Sequence, residues 1–191
     1  EATDGAAVAA TGVFGVILGT AVGGGICVDG RLLAGPNAIV GEWGHNRFAG
    51  PRGGLAATRA CYCGRSDCIE TWLSGPGLLR SYRELAAPGG NAGSAGDVVV
   101  LAEGGDPAAS AALDLYVEQL AFALAQVINL LDPHAIVLGG GLSNIGRLYV
   151  EVPLRWARYV FSDEVRTPLL RARFGDSSGV RGAAWLFPLL P

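Results

Sequence analysis

Methionine and lysine are absent from the 191 residues, and all 14 basic side chains are arginines. A chain that opens on Glu1-Ala2-Thr3-Asp4 with no initiator methionine reads as a fragment, with the missing part expected on the N-terminal side. The arginines are scattered, and the net charge is -3 with a pI near 5.3. That argues against the clustered basic surface that nucleic acids require. No apolar run reaches the roughly 18 to 20 residues that span a bilayer, and no charged leader precedes an apolar segment. The expectation is a cytoplasmic protein with neither a membrane nor a nucleic acid as partner. Histidine occurs twice and cysteine four times, so any site built from these side chains must draw on few residues.

What is present is enough for a sizeable core. Half the residues are hydrophobic, no repeat or compositional break marks a linker, and the chain is expected to be one compact unit. Three of the four cysteines, Cys61, Cys63 and Cys68, fall within eight residues, and His45 lies a short loop upstream. Three thiolates and one imidazole close a tetrahedron around zinc without an open position, so the site reads as structural. Ordinary buried thiols are the alternative. Glu42 and Glu70 bracket the cluster. A metal-bound imidazole keeps one ring N–H as a donor, so His45, Glu42 and Glu70 together offer one donor and two carboxylate acceptors to a polyhydroxylated ligand. The segment between His45 and Cys61 is rich in Gly, Ala and Arg, and an ion is expected to order it.

In chain order, residues 1–11 are small and helix-compatible. Residues 13–18 form an apolar run of strand length, 19–25 a glycine-rich loop, 26–28 a second strand, Asp29-Gly30 a tight turn and 31–33 a third strand. A glycine-rich loop lets backbone N–H groups approach an anion, which makes Thr20, Ala21, Val22, Gly23, Gly24 and Gly25 candidates for a phosphate cradle. Cys27 reads as a packed thiol apart from the cluster. Residues 71–73 and 77–85 are helical pieces interrupted by Ser74-Gly75-Pro76; 88–96 is a loop and 97–103 a short helix. Asp106-Pro107 then caps a long helix over 107–131, whose Leu113, Val117, Leu120, Leu124, Val127 and Leu131 recur at spacings of four and three. A strand at 135–138 leads into Gly139, Gly140 and Gly141, a turn before a helix at 147–160, where open α/β sheets bind ligands. His134 reads as a turn residue. A strand at 169–174 and a final helix through 187 complete the α/β pattern.

At Gly41-Glu42-Trp43-Gly44-His45 and Cys61 to Glu70 the chain resembles the ROK family of repressors, open reading frames and kinases, whose hallmark is G-E-x-G-H followed by CxCGxxGCxE. The family's GTGVGGG loop looks like residues 19–25, and its IVLGGG segment like 136–141. Cys61-Tyr62-Cys63-Gly64-Arg65, Ile69 to Gly75 and Gly175 to Trp185 look most like the fructokinase branch. The resemblance covers essentially the whole chain. It implies the C-terminal lobe of an actin-like, ribonuclease-H-like ATPase fold, one domain over 1–191 with a zinc-binding insertion at about 41–70. Zinc would sit on His45, Cys61, Cys63 and Cys68, and a hexose, fructose first, on Glu42, His45 and Glu70. ATP with Mg²⁺ would lie along residues 20–25 and 139–141, and the parent protein would be a homodimer. A sugar-responsive repressor and an N-acetylhexosamine kinase are the alternatives within the family. The catalytic aspartate of the family's N-D-x-N motif would lie upstream of Glu1, and Asp4 does not match it. Two positions depart from the pattern. Asp67 stands for a glycine that permits positive φ, and Ala21 stands for a glycine of the phosphate loop, where a methyl group crowds the nucleotide if the backbone needs positive φ.

Overall fold

A five-stranded sheet forms the frame of the protein. The computed structural model describes residues 1–55, 58–86 and 90–184. Strands β1 (Gly12–Leu18), β2 (Val22–Val28), β3 (Arg31–Leu32), β4 (Ala135–Gly139) and β5 (Leu169–Arg171) take the order β3-β2-β1-β4-β5. β1 and β2 are antiparallel, whereas β4 runs parallel to both β1 and β5. The parallel step from β1 to β4 needs a long crossover, and it contains α1 (Glu70–Leu73), α2 (Gly75–Leu85), α3 (Ala95–Glu103) and α4 (Pro107–Leu131). α5 (Leu148–Trp156) and α6 (Ser178–Ala184) follow β4 and β5 respectively.

α4 occupies the predicted span. The Asp106 side chain accepts the Ala109 N–H at 2.7 Å, Pro107 opens the first turn, and Asp132 ends the helix in a left-handed conformation with φ 44°. By length and composition α4 could cross a membrane, but most of it is buried in the protein, against α2, α3 and α5. Phe14, Val16 and Leu18 project from β1 into this core, while Val13 joins Ala135, Val137 and Ala172 in a smaller cluster on the opposite face. β4 is buried along its whole length, as expected of a parallel strand covered on both sides.

Several boundaries differ from the sequence expectation. Residues 1–11 form turns rather than a helix, held by Glu1, whose carbonyl accepts the N–H groups of Gly5 and Ala7. β2 begins at Val22, so Val22, Gly23, Gly24 and Gly25 belong to a strand paired with β1, not to a loop. The glycine turn therefore shrinks to residues 19–21, and Ala21 has no positive φ that its methyl group would strain. α2 starts at Gly75 because Ser74 caps it, accepting the Gly77 N–H at 3.2 Å. α3 starts at Ala95 because Ser94 and Asp97 form a reciprocal capping box. The helix expected over 147–160 is Leu148–Trp156, and the last strand is three residues long. The end of the final expected helix, 185–187, lies outside the described residues, as does part of the 88–96 loop.

The segment after His45 is also better anchored than its composition suggests. Phe48 is buried, with its ring 5.5 Å from Trp72 and 5.8 Å from Phe122. Arg59 is fully buried beneath Trp72, its guanidinium carbon 3.7 Å from the ring centre. Packing therefore anchors Phe48 and Arg59 in this stretch.

Candidate functional site

Two short structures carry the histidine and the thiols. A 3-10 turn over Trp43–His45 lies directly on β2, where a side-chain carbon at Gly44 would come within 1.9 Å of the Val22 carbonyl oxygen and one at Gly41 within 2.2 Å of that of Gly24. Only glycine permits this approach, and the Trp43 indole N–H fixes it by donating to the Gly23 carbonyl at 2.9 Å. Cys61 to Cys68 form a tight loop in which the Cys61 N–H donates to the Arg65 carbonyl at 2.8 Å. Single β-bridges pair Arg47 with Cys68 and Ala60 with Ser66.

Asp67 has φ 57°, the left-handed backbone that a glycine would supply. Its buried carboxylate accepts the Arg59 N–H at 2.9 Å and pairs with Arg52 at 3.0 Å. Burial acts to raise its pKa, but the Arg59 N–H and the Arg52 guanidinium outweigh that and hold it below the usual carboxylate range. The aspartate thus has local partners that offset its backbone strain.

The loop and the turn bring one donor atom each from His45, Cys61, Cys63 and Cys68 within 4.8 Å of one another. His45 Nδ1 lies 3.6 Å from Cys61 Sγ, and Cys63 Sγ lies 3.6 Å from Cys68 Sγ. Zinc–sulfur bonds of about 2.3 Å in a tetrahedron place two sulfurs about 3.8 Å apart, and a sulfur–nitrogen edge is slightly shorter. The donor set and its spacing therefore fit one tetrahedral ion. A hydrogen bond from the Arg65 backbone pulls the exposed Cys63 thiol down to about 6, while burial pushes Cys68 up to about 12. The two neighbouring thiols are thus driven in opposite directions. Cys27 stands apart in the sheet, half-buried against the smaller apolar cluster.

The ring nitrogen of His45 that faces away from the thiols, Nε2, lies 2.9 Å from the Tyr62 hydroxyl. Tyr62 borders a cavity of about 230 Å³ with Thr20, Cys61, Glu70, Pro76 and Arg80. Glu70 opens α1 and is 7% exposed; its Oε2 accepts the Val22 N–H at 3.1 Å. One carboxylate oxygen is thereby tied to β2. Glu42 is exposed and does not line this cavity, and His45 reaches it only through Tyr62. Of the three residues expected around a sugar, Glu70 lines this cavity, and Glu42 and His45 are not among the described residues that border it.

A larger cavity of about 680 Å³ adjoins the first, sharing Thr20 and Pro76. Its walls come from the turn after β1 (Gly19, Thr20), the start of α2 (Gly75, Pro76, Leu79), the start of α3 (Gly93, Ser94, Ala95, Gly96, Val99) and the turn after β4 (Gly141, Leu142, Asn144, Ile145). Of the nucleotide candidates, Thr20 and Gly141 line it. Ala21 and Gly140 lie in the adjacent turns, Gly139 closes β4, and residues 22–25 are within β2. The contributions of α2 and α3 were not anticipated. The Ser94 and Asp97 capping signal marks one of those helix starts in the sequence, but nothing local says that it faces Thr20. His134 is a turn residue whose ring nitrogens lie 3.3 Å from the Thr11 hydroxyl.

Comparison with known proteins gives one consistent picture. A family model described as the ROK family matches residues 1–189. The chain is 38% identical over 180 residues to an N-acetyl-D-glucosamine kinase of Yersinia pseudotuberculosis (serotype O:1b, strain IP 31758), a match covering 91% of this chain and 58% of that protein. Among solved structures it is similar to a ROK family glucokinase from Streptomyces griseus in complex with glucose and AMPPNP, with TM-score 0.78 and 30% identity, covering 93% of this chain and 60% of that one. A ROK family transcriptional regulator homologous to the E. coli MLC protein matches with TM-score 0.78 and 25% identity, over 96% of this chain and 47% of that one. The chain thus spans about 58% of the length of the curated relative, and its sheet and helices have the fold of ROK sugar kinases, the actin-like ATPase fold.

Proposed function

The chain belongs to the ROK family, and from that premise we propose that it is the C-terminal lobe of a cytoplasmic, ATP-dependent sugar kinase that transfers the γ-phosphoryl group to a hexose hydroxyl. The observation that carries this reading is the pair of adjoining cavities meeting at Thr20 and Pro76, one containing the buried Glu70 and the other ringed by helix starts and glycine turns. A sugar in the first and a nucleotide in the second would place a hydroxyl and a terminal phosphate on either side of Thr20. At the start of α3 the Ala95 and Gly96 N–H groups lie outside the capping hydrogen bonds and would suit phosphate oxygens, whereas at α2 the Gly75 and Gly77 N–H groups are already used and Pro76 has none. Glu70, with one oxygen held by Val22, would present the other to sugar hydroxyls. Zinc on His45, Cys61, Cys63 and Cys68 would supply a structural cation, and this chain's residues would do the positioning. Phosphoryl transfer also needs Mg²⁺ and a carboxylate to accept the hydroxyl proton. In our reading that base belongs to the part of the relatives that this chain does not span, so residues 1–191 alone should show no hexose-dependent ATP turnover; measurable turnover would count against it.

The motif resemblance puts fructose first among the sugars. The relatives named as N-acetyl-D-glucosamine kinases and glucokinase support an N-acetylhexosamine or an aldohexose ahead of it. The decisive experiment is Glu70→Gln in the full-length parent protein. Loss of a charged hydrogen bond costs about 1.5–3 kcal/mol, or roughly 10- to 100-fold in affinity. Titrations with glucose and N-acetyl-D-glucosamine should weaken by that factor while metal content stays constant. Equal affinities in variant and wild type would reject the site. The similarity to a transcriptional regulator favours a second reading, a sugar-responsive repressor. The parent's N-terminal sequence separates the two: DxGGT and N-D-x-N motifs for the kinase, a winged helix for the repressor.

A further inference from the structure

We propose that Tyr62 gates the sugar face, by holding the one ring N–H of His45 that a sugar hydroxyl would need. The inference rests on the sugar-site reading above, takes His45 as the donor to the sugar that its sequence position leads one to expect, and adds Tyr62. Tyr62 lies between Cys61 and Cys63, so its backbone is fixed on both sides by the thiol cluster. Its side chain nevertheless stands 82% exposed. The ring meets His45 edge-on, with centroids 5.2 Å apart and planes at 81°, and the hydroxyl lies 2.9 Å from His45 Nε2.

The chemistry of the imidazole makes this contact competitive. With Nδ1 directed at the thiols and given to a metal, the ring is neutral and Nε2 carries its only proton. The Tyr62 oxygen is then the acceptor. A sugar hydroxyl accepting from His45 must take that N–H from Tyr62, because one N–H does not serve two acceptors at full strength. Within this chain the tyrosine has little packing to lose, and water can replace its hydrogen bond once it turns outward. Since Tyr62 also borders the cavity containing Glu70, the same rotation opens the space beside the carboxylate. Entry of sugar would thus be coupled to release of His45, and the height of the gate would be set by one hydroxyl group.

The test is Tyr62→Phe in the zinc-loaded full-length parent, which keeps the exposed ring and its edge contact and removes only the oxygen. Affinity for glucose and for N-acetyl-D-glucosamine should rise about threefold to tenfold, with metal content unchanged. A second readout is ¹⁵N-histidine NMR, with His45 identified by its response to metal removal. The His45 Nε2–H resonance should move in Tyr62→Phe without sugar, and the wild-type resonance should move when sugar is added. Unchanged or weaker sugar binding in Tyr62→Phe, while Glu70→Gln still weakens binding, would overturn the gate and leave the sugar site standing. If neither variant alters sugar binding, the sugar-site reading falls, and the gate with it.

Discussion

Replacing Arg59 with methionine should lower the stability of the full-length protein by about 3–5 kcal/mol, one of the largest effects expected of any single substitution in this lobe. The side chain is fully buried, and a lone guanidinium in that position would be strongly unfavourable. Here its fork is occupied. One terminal nitrogen donates to the carbonyls of Thr71 at 2.9 Å and Gly77 at 3.2 Å, and the other to Ser81 Oγ at 3.1 Å and to Glu84 at 3.5 Å. Only Nε lacks a partner among the described residues. The plane stacks on Trp72, which adds a cation–π term in a desolvated setting. Burial drives the pKa down to about 10, still far enough above neutrality to keep the cation.

Methionine would fill much of the volume but leave those acceptors unpaired, and lysine would keep the charge without the planar fork. Arg59→Lys should therefore recover part, not all, of the loss. Thermal midpoints read the difference. At roughly 2–4 °C per kcal/mol for a domain of this size, Arg59→Met should melt about 10 °C lower. A shift under about 2 °C would mean that the buried fork contributes little. The same contacts tie the cysteine loop to α1 and α2, the elements that carry Glu70 and line both cavities.

How much of this was legible beforehand depends on how far apart the cooperating residues lie in the chain. α4 was readable because its signals are local: a cap at Asp106, a proline at the first position and an apolar period over seven turns. The thiol cluster and His45 were readable from spacing, and the left-handed backbone at Asp67 from the glycine that the resemblance put there. The glycines of β2 were misread because glycine has low strand propensity. Their environment is set by β1 on one side and by the backbone of residues 41–44 on the other, and that approach is invisible in a window of seven residues. Arg59 was hidden for the same reason. An arginine in a glycine- and alanine-rich stretch reads as solvated, and only acceptors 12 to 25 residues downstream make its burial tolerable. The larger cavity draws on four separate segments, of which only the two glycine turns announce themselves.

Removing the metal should produce the other large effect. Elemental analysis of the full-length protein should give one zinc per chain for this site. Cys61→Ser, Cys63→Ser and Cys68→Ser should each lose it, and Cys27→Ser should retain it, because Cys27 packs in the sheet away from the other three thiols. Zinc binding requires thiolates, so affinity falls as the medium is acidified and protons compete for sulfur. The free pair already leans towards one thiolate, since Cys63 sits near 6 and Cys68 near 12; binding must displace the proton from buried Cys68. Structural zinc supplies roughly 10–16 kcal/mol to small peptides that are unfolded without it. The contribution here should be smaller, because Phe48 and Arg59 hold their segment by packing. Chelation should then loosen chiefly residues 61–68. Arg65 is exposed at the tip of that loop, so trypsin should cut there readily in chelated protein and slowly in the metal-loaded form, while sugar affinity falls with the loss of order around Tyr62 and Glu70. Wild-type protein purified without zinc, or a Cys63→Ser variant with full zinc content, would remove the ion from this site and leave the cluster as free thiols, two buried and one exposed.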